Sequence, residues 1–101
     1  MNSQVQLDRD RLAEFCRKWR VRELSIFGSA LRDDFGPESD LDFLVSFEQD
    51  AGWDLWDLVA MRDDLASIAG REVDMVVKEA LRNPYRRSQI LETREVIHTD
   101  G

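Results

Sequence analysis

A chain of 101 residues holds one domain and has no room for a second core. Its net charge of −7, from 21 acidic and 14 basic residues, argues against a general nucleic-acid binder, which would draw its affinity from neutralising phosphates; it suits a metal ion or a basic protein partner. A single cysteine, Cys16, excludes an internal disulfide and a cysteine zinc centre, and a single histidine, His98, excludes a histidine-rich metal site.

The first residues, Met-Asn-Ser-Gln-Val-Gln-Leu-Asp, lack the basic region and apolar run of a signal peptide. No apolar stretch is long enough to span a membrane. The expectation is a soluble cytoplasmic protein.

Residues 8–20 place Leu12, Phe15, Cys16 and Trp19 at steps of three and four, which predicts a helix with one apolar face and Asp8 as its N-cap. Cys16 lies on that face and reads as core filler. Leu24-Ser25-Ile26-Phe27 reads as a short strand ended by Gly28, with Ser29-Ala30-Leu31-Arg32 opening a short helix and Phe35-Gly36-Pro37-Glu38 forming a turn. A second strand is expected over 41–47. Residues 53–69 form the strongest helical pattern, with Leu55, Leu58, Val59, Met61, Leu65, Ile68 and Ala69 as its apolar set and Gly70 as its stop. Val73 to Val77 predicts a third strand. Asn83-Pro84 begins a helix to about Leu91, and Glu95 to His98 reads as a short edge strand. The order predicts an α/β (α+β) domain: a small mixed sheet flanked by helices.

The chemistry concentrates in acidic residues at strand ends. Asp40 and Asp42 are two apart where an apolar strand begins, so both carboxylates are expected on one side, with Leu41 and Phe43 on the other. Asp74 lies inside Val-Asp-Met-Val-Val, where burial would be costly unless the carboxylate were paired or metal-bound. Two carboxylates about 5 Å apart repel by about 3 kcal/mol at an effective dielectric of 20. A divalent cation reverses that sign, and magnesium is the natural one, because it takes oxygen ligands from one or two carboxylates and from substrate phosphates. Gly28 lets a phosphate approach the backbone, and Ser29 supplies a hydroxyl and an N–H at a helix start. Gly-Ser at a strand end is by itself usually only a turn. The pattern G-S-x10-D-x-D at Gly28, Ser29, Asp40 and Asp42, with a later strand aspartate at Asp74, is much more specific.

This pattern resembles the nucleotidyltransferase superfamily that shares a palm-like fold with polymerase β. The matching stretches are Phe-Gly-Ser-Ala-x-Arg, Ser-Asp-Leu-Asp-Phe-Leu-Val and Gly-Arg-Glu-Val-Asp-Met-Val. The whole chain, 1–101, is similar to a minimal nucleotidyltransferase (MNT), a catalytic domain without the substrate-binding domain of larger relatives. The resemblance implies that Asp40 and Asp42 bind metal ions holding ATP. Asp74 would complete the metal site, with two Mg2+ ions in all, and help deprotonate the attacking hydroxyl. Gly28 and Ser29 would hold the triphosphate. It further implies an antitoxin that transfers AMP to a tyrosine of a HEPN-domain ribonuclease toxin, with no direct nucleic-acid contact. Two alternatives stay open: an antitoxin that neutralises by binding alone, and a small-molecule nucleotidyltransferase, for which the chain is short of an acceptor pocket.

Other residues are less telling. Arg32 could reach a phosphate or pair with Asp33, Asp34 or Glu38. Ser39 is expected to cap a turn. Trp56 is expected in the core, and Trp53, beside Gly52, is the candidate for contact with a partner or adenine. Tyr85-Arg86-Arg87 is a basic spot, expected to be a solvated helix face.

Overall fold

The computed structural model describes residues 7–28 and 40–99. The elements run α1 (Arg9–Trp19), β1 (Val21–Phe27), β2 (Leu41–Phe47), α2 (Leu55–Ala69), β3 (Val73–Val77), α3 (Pro84–Thr93) and β4 (Glu95–Thr99), with a 3-10 turn at Lys78–Ala80 after β3. Four strands form one sheet in the order β3-β2-β1-β4. β1 is antiparallel to β2 and β4, and β2 is parallel to β3. The expected mixed sheet flanked by helices is the observed architecture. The predicted short helix from Ser29 to Arg32, the turn at 35–38 and Ser39 lie outside the described residues.

Local chemistry sets the helix ends. Asp8 Oδ1 accepts from the backbone N–H groups of Asp10 and Arg11 at 3.1 and 3.2 Å, which satisfies two of the donors a helix start leaves open. Asp54 and Asp57 form a reciprocal capping box at the start of α2. Gly70 ends α2 at φ +71°, with its N–H donating to Ala66 O. Asn83 caps α3, accepting from Tyr85 and Arg86, and Pro84 sits at the first helical position.

Strand alternation divides the core between the two faces of the sheet. Leu24, Ile26, Leu41, Phe43, Val45 and Val73 pack against α1 and α2, meeting Leu12, Phe15, Cys16, Met61 and Leu65. Cys16 is buried there, as its helical position predicts. Phe27 and Leu44 pack on the other side against Ile90 of α3, with Val76, Leu81 and Leu91 around them. Leu41 and Phe43 are fully buried; each such side chain contributes about 1.5–3 kcal/mol by leaving water. They fix the phase of β2, and a slip of one residue would move Asp42 into that core.

The structure corrects three expectations about side chains. Trp56 is not in the core but 78% exposed, and Leu55 beside it is 70% exposed. Trp53 instead is half-buried: its Nε1 donates to Trp19 O at 2.6 Å, and the two indoles meet edge-on with centroids 5.3 Å apart. Its indole N–H therefore serves the fold, the packing role that an aromatic near a helix end more often has, and not the partner or adenine contact for which it was the candidate. Asp74 is exposed, so no cost of burying a carboxylate arises there. β3 is an edge strand: Val73, Met75 and Val77 join the α2-facing core and Val76 the α3-facing cluster, while Asp74 at its start stays open to solvent. Tyr85 and Arg86 are solvated as expected, whereas Arg87 turns back to donate to Lys78 O.

Candidate active site

The register of the sheet brings two of the expected acids together. Asp42 of β2 pairs with Asp74 of β3 on one side and with Phe27 of β1 on the other. Register partners face the same way across a sheet, with strands about 4.8 Å apart. Phe27, Asp42 and Asp74 therefore form one row on the α3-facing side, near the point where the parallel strands begin. Phe27 is buried under α3, while Asp42 is half-buried and Asp74 exposed. The row runs from core to solvent.

Gly28 ends β1 directly beside this row. Its φ is +69°, a left-handed backbone that disfavours any side chain. A Cβ built there would lie 2.5 Å from Asp42 Oδ2, closer than real contacts allow. The carboxylate thus occupies the volume that any other residue at position 28 would fill. Glycine here gives room for Asp42 as well as for the chain to turn.

Asp40 stands one residue before β2 and is exposed. It shares a cleft of about 270 Å³ with Asp74, Glu72, Arg62 and Asp63, with Val73 and Ala66 as apolar lining. The backbone N–H of Leu41 donates to Glu72 O at 3.2 Å, which ties the start of β2 to the start of β3. Arg62, Asp63 and Glu72 were not among the expected site residues. Glu72 had a signal: it precedes Val73 as Asp40 precedes Leu41, and those two residues are register partners. Arg62 and Asp63 had none without knowing where α2 lies. Ser29 and Arg32 lie outside the described residues.

The donors are all oxygens, which suits a hard divalent cation. Among the described residues, no three acidic, histidine or cysteine side chains gather so as to hold a metal ion; the expected three-carboxylate metal site is not closed by them. The arrangement fits a cation that takes one or two carboxylates from the protein and its remaining ligands from phosphate and water, which is how magnesium binds nucleotides. Among the described residues no helix is long and apolar enough to cross a membrane.

Comparison with known proteins agrees with this geometry. Residues 9–97 match the nucleotidyltransferase domain family. The protein adenylyltransferase MntA of Thermococcus cleftensis is 31% identical over 85 residues, covering 84% of this chain and 81% of that protein. A toxin–antitoxin structure with AMP-PNP superposes with a TM-score of 0.74 at 18% identity, covering 93% of this chain and 75% of that one. A complex of tri-AMPylated Shewanella oneidensis HEPN toxin with MNT antitoxin superposes with a TM-score of 0.63 at 16% identity, covering 91% and 70%; at these identities both likenesses concern the fold. The family match over residues 9–97, together with 31% identity over 86% of each chain to the solved structure of a putative minimal nucleotidyltransferase (TM-score 0.71), places the chain in the nucleotidyltransferase domain family, among the minimal nucleotidyltransferases.

Proposed function

We propose that this chain, acting as a single catalytic domain over residues 1–101, moves AMP from ATP onto a tyrosine of a HEPN-domain ribonuclease and so works as the antitoxin of a toxin–antitoxin pair. The observation that carries the reading is the row in which Asp42 and Asp74 stand side by side next to Gly28. It supports a site for a metal-held triphosphate. The name of the Thermococcus relative and the toxin–antitoxin complexes that share the fold support the protein acceptor and ATP as donor. Such a reaction belongs in the cytoplasm, where ATP is supplied.

In this reading Asp40 and Asp42 would hold a cation that carries the triphosphate, and Asp74, the register partner of Asp42, would join them, with phosphate and water supplying the remaining ligands. Magnesium, when bound, would offset the carboxylate repulsion and the charge on the phosphate oxygens. Gly28, with no side chain, would let the backbone approach the phosphates, and Ser29 would donate to them, with Arg32 as a further phosphate contact. The acceptor hydroxyl oxygen forms a bond to the α-phosphorus as the bond to the bridging oxygen breaks. Pyrophosphate leaves with that oxygen, and Asp74 takes the hydroxyl proton. Because the protein contributes little covalent chemistry, positioning and electrostatic stabilisation carry the rate.

The test is intact-mass measurement of the protein encoded beside this chain, expected to be a HEPN-domain ribonuclease, after incubation with the chain, ATP and Mg2+. A mass increase in whole multiples of one adenylyl group, AMP less the water lost in forming the ester, is expected. Asp42→Asn should leave that mass unchanged. Equal labelling by the variant would overturn the mechanism, and neutralisation of the toxin by the unlabelling variant would favour an antitoxin that acts by binding.

A further inference from the structure

Helix α2 carries an apolar stripe that the fold does not use. Leu55 and Trp56 are largely exposed, and Val59 one turn on is exposed as well. Isolated surface apolar residues are ordinary, but adjoining ones that include a tryptophan mark a contact surface. Helical spacing says where the stripe leads. Trp56, Val59 and Asp63 fall at i, i+3 and i+7, and Leu55, Val59, Arg62 and Ala66 at i, i+4, i+7 and i+11, so they share one face. Arg62, Asp63 and Ala66 are the α2 wall of the cleft that holds Asp40 and Asp74. The apolar half and the catalytic half of this face are separated by about 10 Å of helix rise.

We infer that this stripe is the docking surface for the protein that receives AMP, a partner presenting apolar side chains ringed by lysine or arginine. The inference rests on the protein-adenylyltransferase reading and adds to it the surface that selects the acceptor. Continuity with the cleft is the first argument: a protein seated on Leu55 and Trp56 extends along the helix to Asp63, where a hydroxyl can enter beside Asp40 and Asp74. Charge is the second. The cleft end of the stripe gathers Asp40, Asp63, Glu72 and Asp74 against Arg62, and Asp54 is exposed at the start of the helix, whereas Asp64 is engaged by Lys18 and Trp19 on the α1 side. A basic rim on the partner is complementary to it. A second copy of this chain would set acid against acid, which like-charge repulsion disfavours.

The experiment uses Trp56→Ser and Leu55→Ser in the full chain, with the purified HEPN-domain protein of the labelling assay as probe. Both side chains are exposed, so unchanged circular dichroism and melting are expected. Binding is measured by calorimetry, separately from AMP transfer. Trp56→Ser should weaken binding about 30-fold, as loss of a hot-spot aromatic does, and raise KM for the acceptor while affinity for an ATP analogue stays the same. Wild-type binding should weaken as salt rises. Wild-type affinity in both variants, or no binding of the probe by the wild-type chain, would overturn the inference. So would a wild-type dimer that dissociates on Trp56→Ser. If the wild-type chain binds but transfers no AMP, and Trp56→Ser still loses binding, the docking surface stands and the catalytic reading falls. If both variants transfer AMP at the wild-type KM, the catalytic reading stands and the docking surface falls.

Discussion

A β-carbon on residue 28 would stand 2.5 Å from Asp42 Oδ2. Two residues fourteen positions apart are therefore bound by one steric condition: the carboxylate keeps its place only while position 28 has no side chain. Gly28→Ala meets two penalties. The backbone at φ +69° costs a non-glycine residue about 1–2 kcal/mol, and the clash must push Asp42 off its place. Since misplacement by about 1 Å can cost 100-fold in rate, AMP transfer should fall at least about that far. Stability should fall only by the backbone term, read from urea unfolding. A variant with the stability loss but full activity would mean that Asp42 need not sit where it does.

The register pair makes a prediction about metal. Asp42 and Asp74 stand about 5 Å apart across neighbouring strands, and at an effective dielectric of 20 they repel by about 3 kcal/mol as an upper figure, with the exposure of Asp74 reducing it. Asp74→Asn removes one charge of that pair. Without divalent cations its melting temperature should equal or exceed that of the wild-type chain. Added Mg2+ with an ATP analogue should raise the wild-type melting temperature through binding to the native state, and the rise should be much smaller in the variant. The same Mg2+-dependent rise in both proteins would remove Asp74 from the cation site.

Two tryptophans three residues apart differ in burial, Trp53 packed and Trp56 exposed, and their substitution should separate accordingly. Trp53 donates to Trp19 O and packs edge-on against Trp19, joining the loop before α2 to the end of α1. Trp53→Ala should cost about 2–4 kcal/mol, near the lower part of the range for large aromatics because the residue is only half-buried. Trp56→Ser should change stability by less than about 0.5 kcal/mol. Chemical denaturation followed by circular dichroism measures both, and equal losses would contradict the burial of one and the exposure of the other.

The same contrast shows what the sequence made legible. Strand phase could be read at β2 because Leu41 and Phe43 flank Asp42 and only one side of that alternation is polar. The capping residues Asp8 and Asn83 were readable because their interactions are local. Trp53 lies before the helix begins, so helical periodicity says nothing about its direction; its partner, Trp19, is thirty-four residues away. Leu55 and Trp56 were assigned to the core by a period that gives a face but not what covers it. Asp74 depended on strand order: an aspartate among valines is buried in a central strand but open at an edge, and only the sheet topology puts β3 at the edge. Arg62 and Asp63 joined the cleft through the placement of α2, a tertiary fact with no local sign.

A buried serine at the far end of β2 gives the last test. Ser46 is 1% exposed. Its Oγ accepts from Arg22 Nη2 at 3.2 Å and donates to Glu79 Oε2 at 2.6 Å, while Glu79 Oε1 accepts from the Phe47 N–H at 3.3 Å. The hydroxyl therefore joins β1, the end of β2 and the 3-10 turn after β3. Ser46→Ala leaves Arg22 and Glu79 without that bridge and should cost about 1–2 kcal/mol in urea unfolding, the usual range for removing one partner of a hydrogen bond. Glu79→Gln should cost less, since the amide can still accept from Phe47. The double variant should lose less than the sum of the two, because both changes strike the same bond. Strict additivity would show that Ser46 and Glu79 act independently. AMP transfer should survive Ser46→Ala, because the bridge lies at the opposite end of β2 from Asp42, four residues and about 13 Å of strand away.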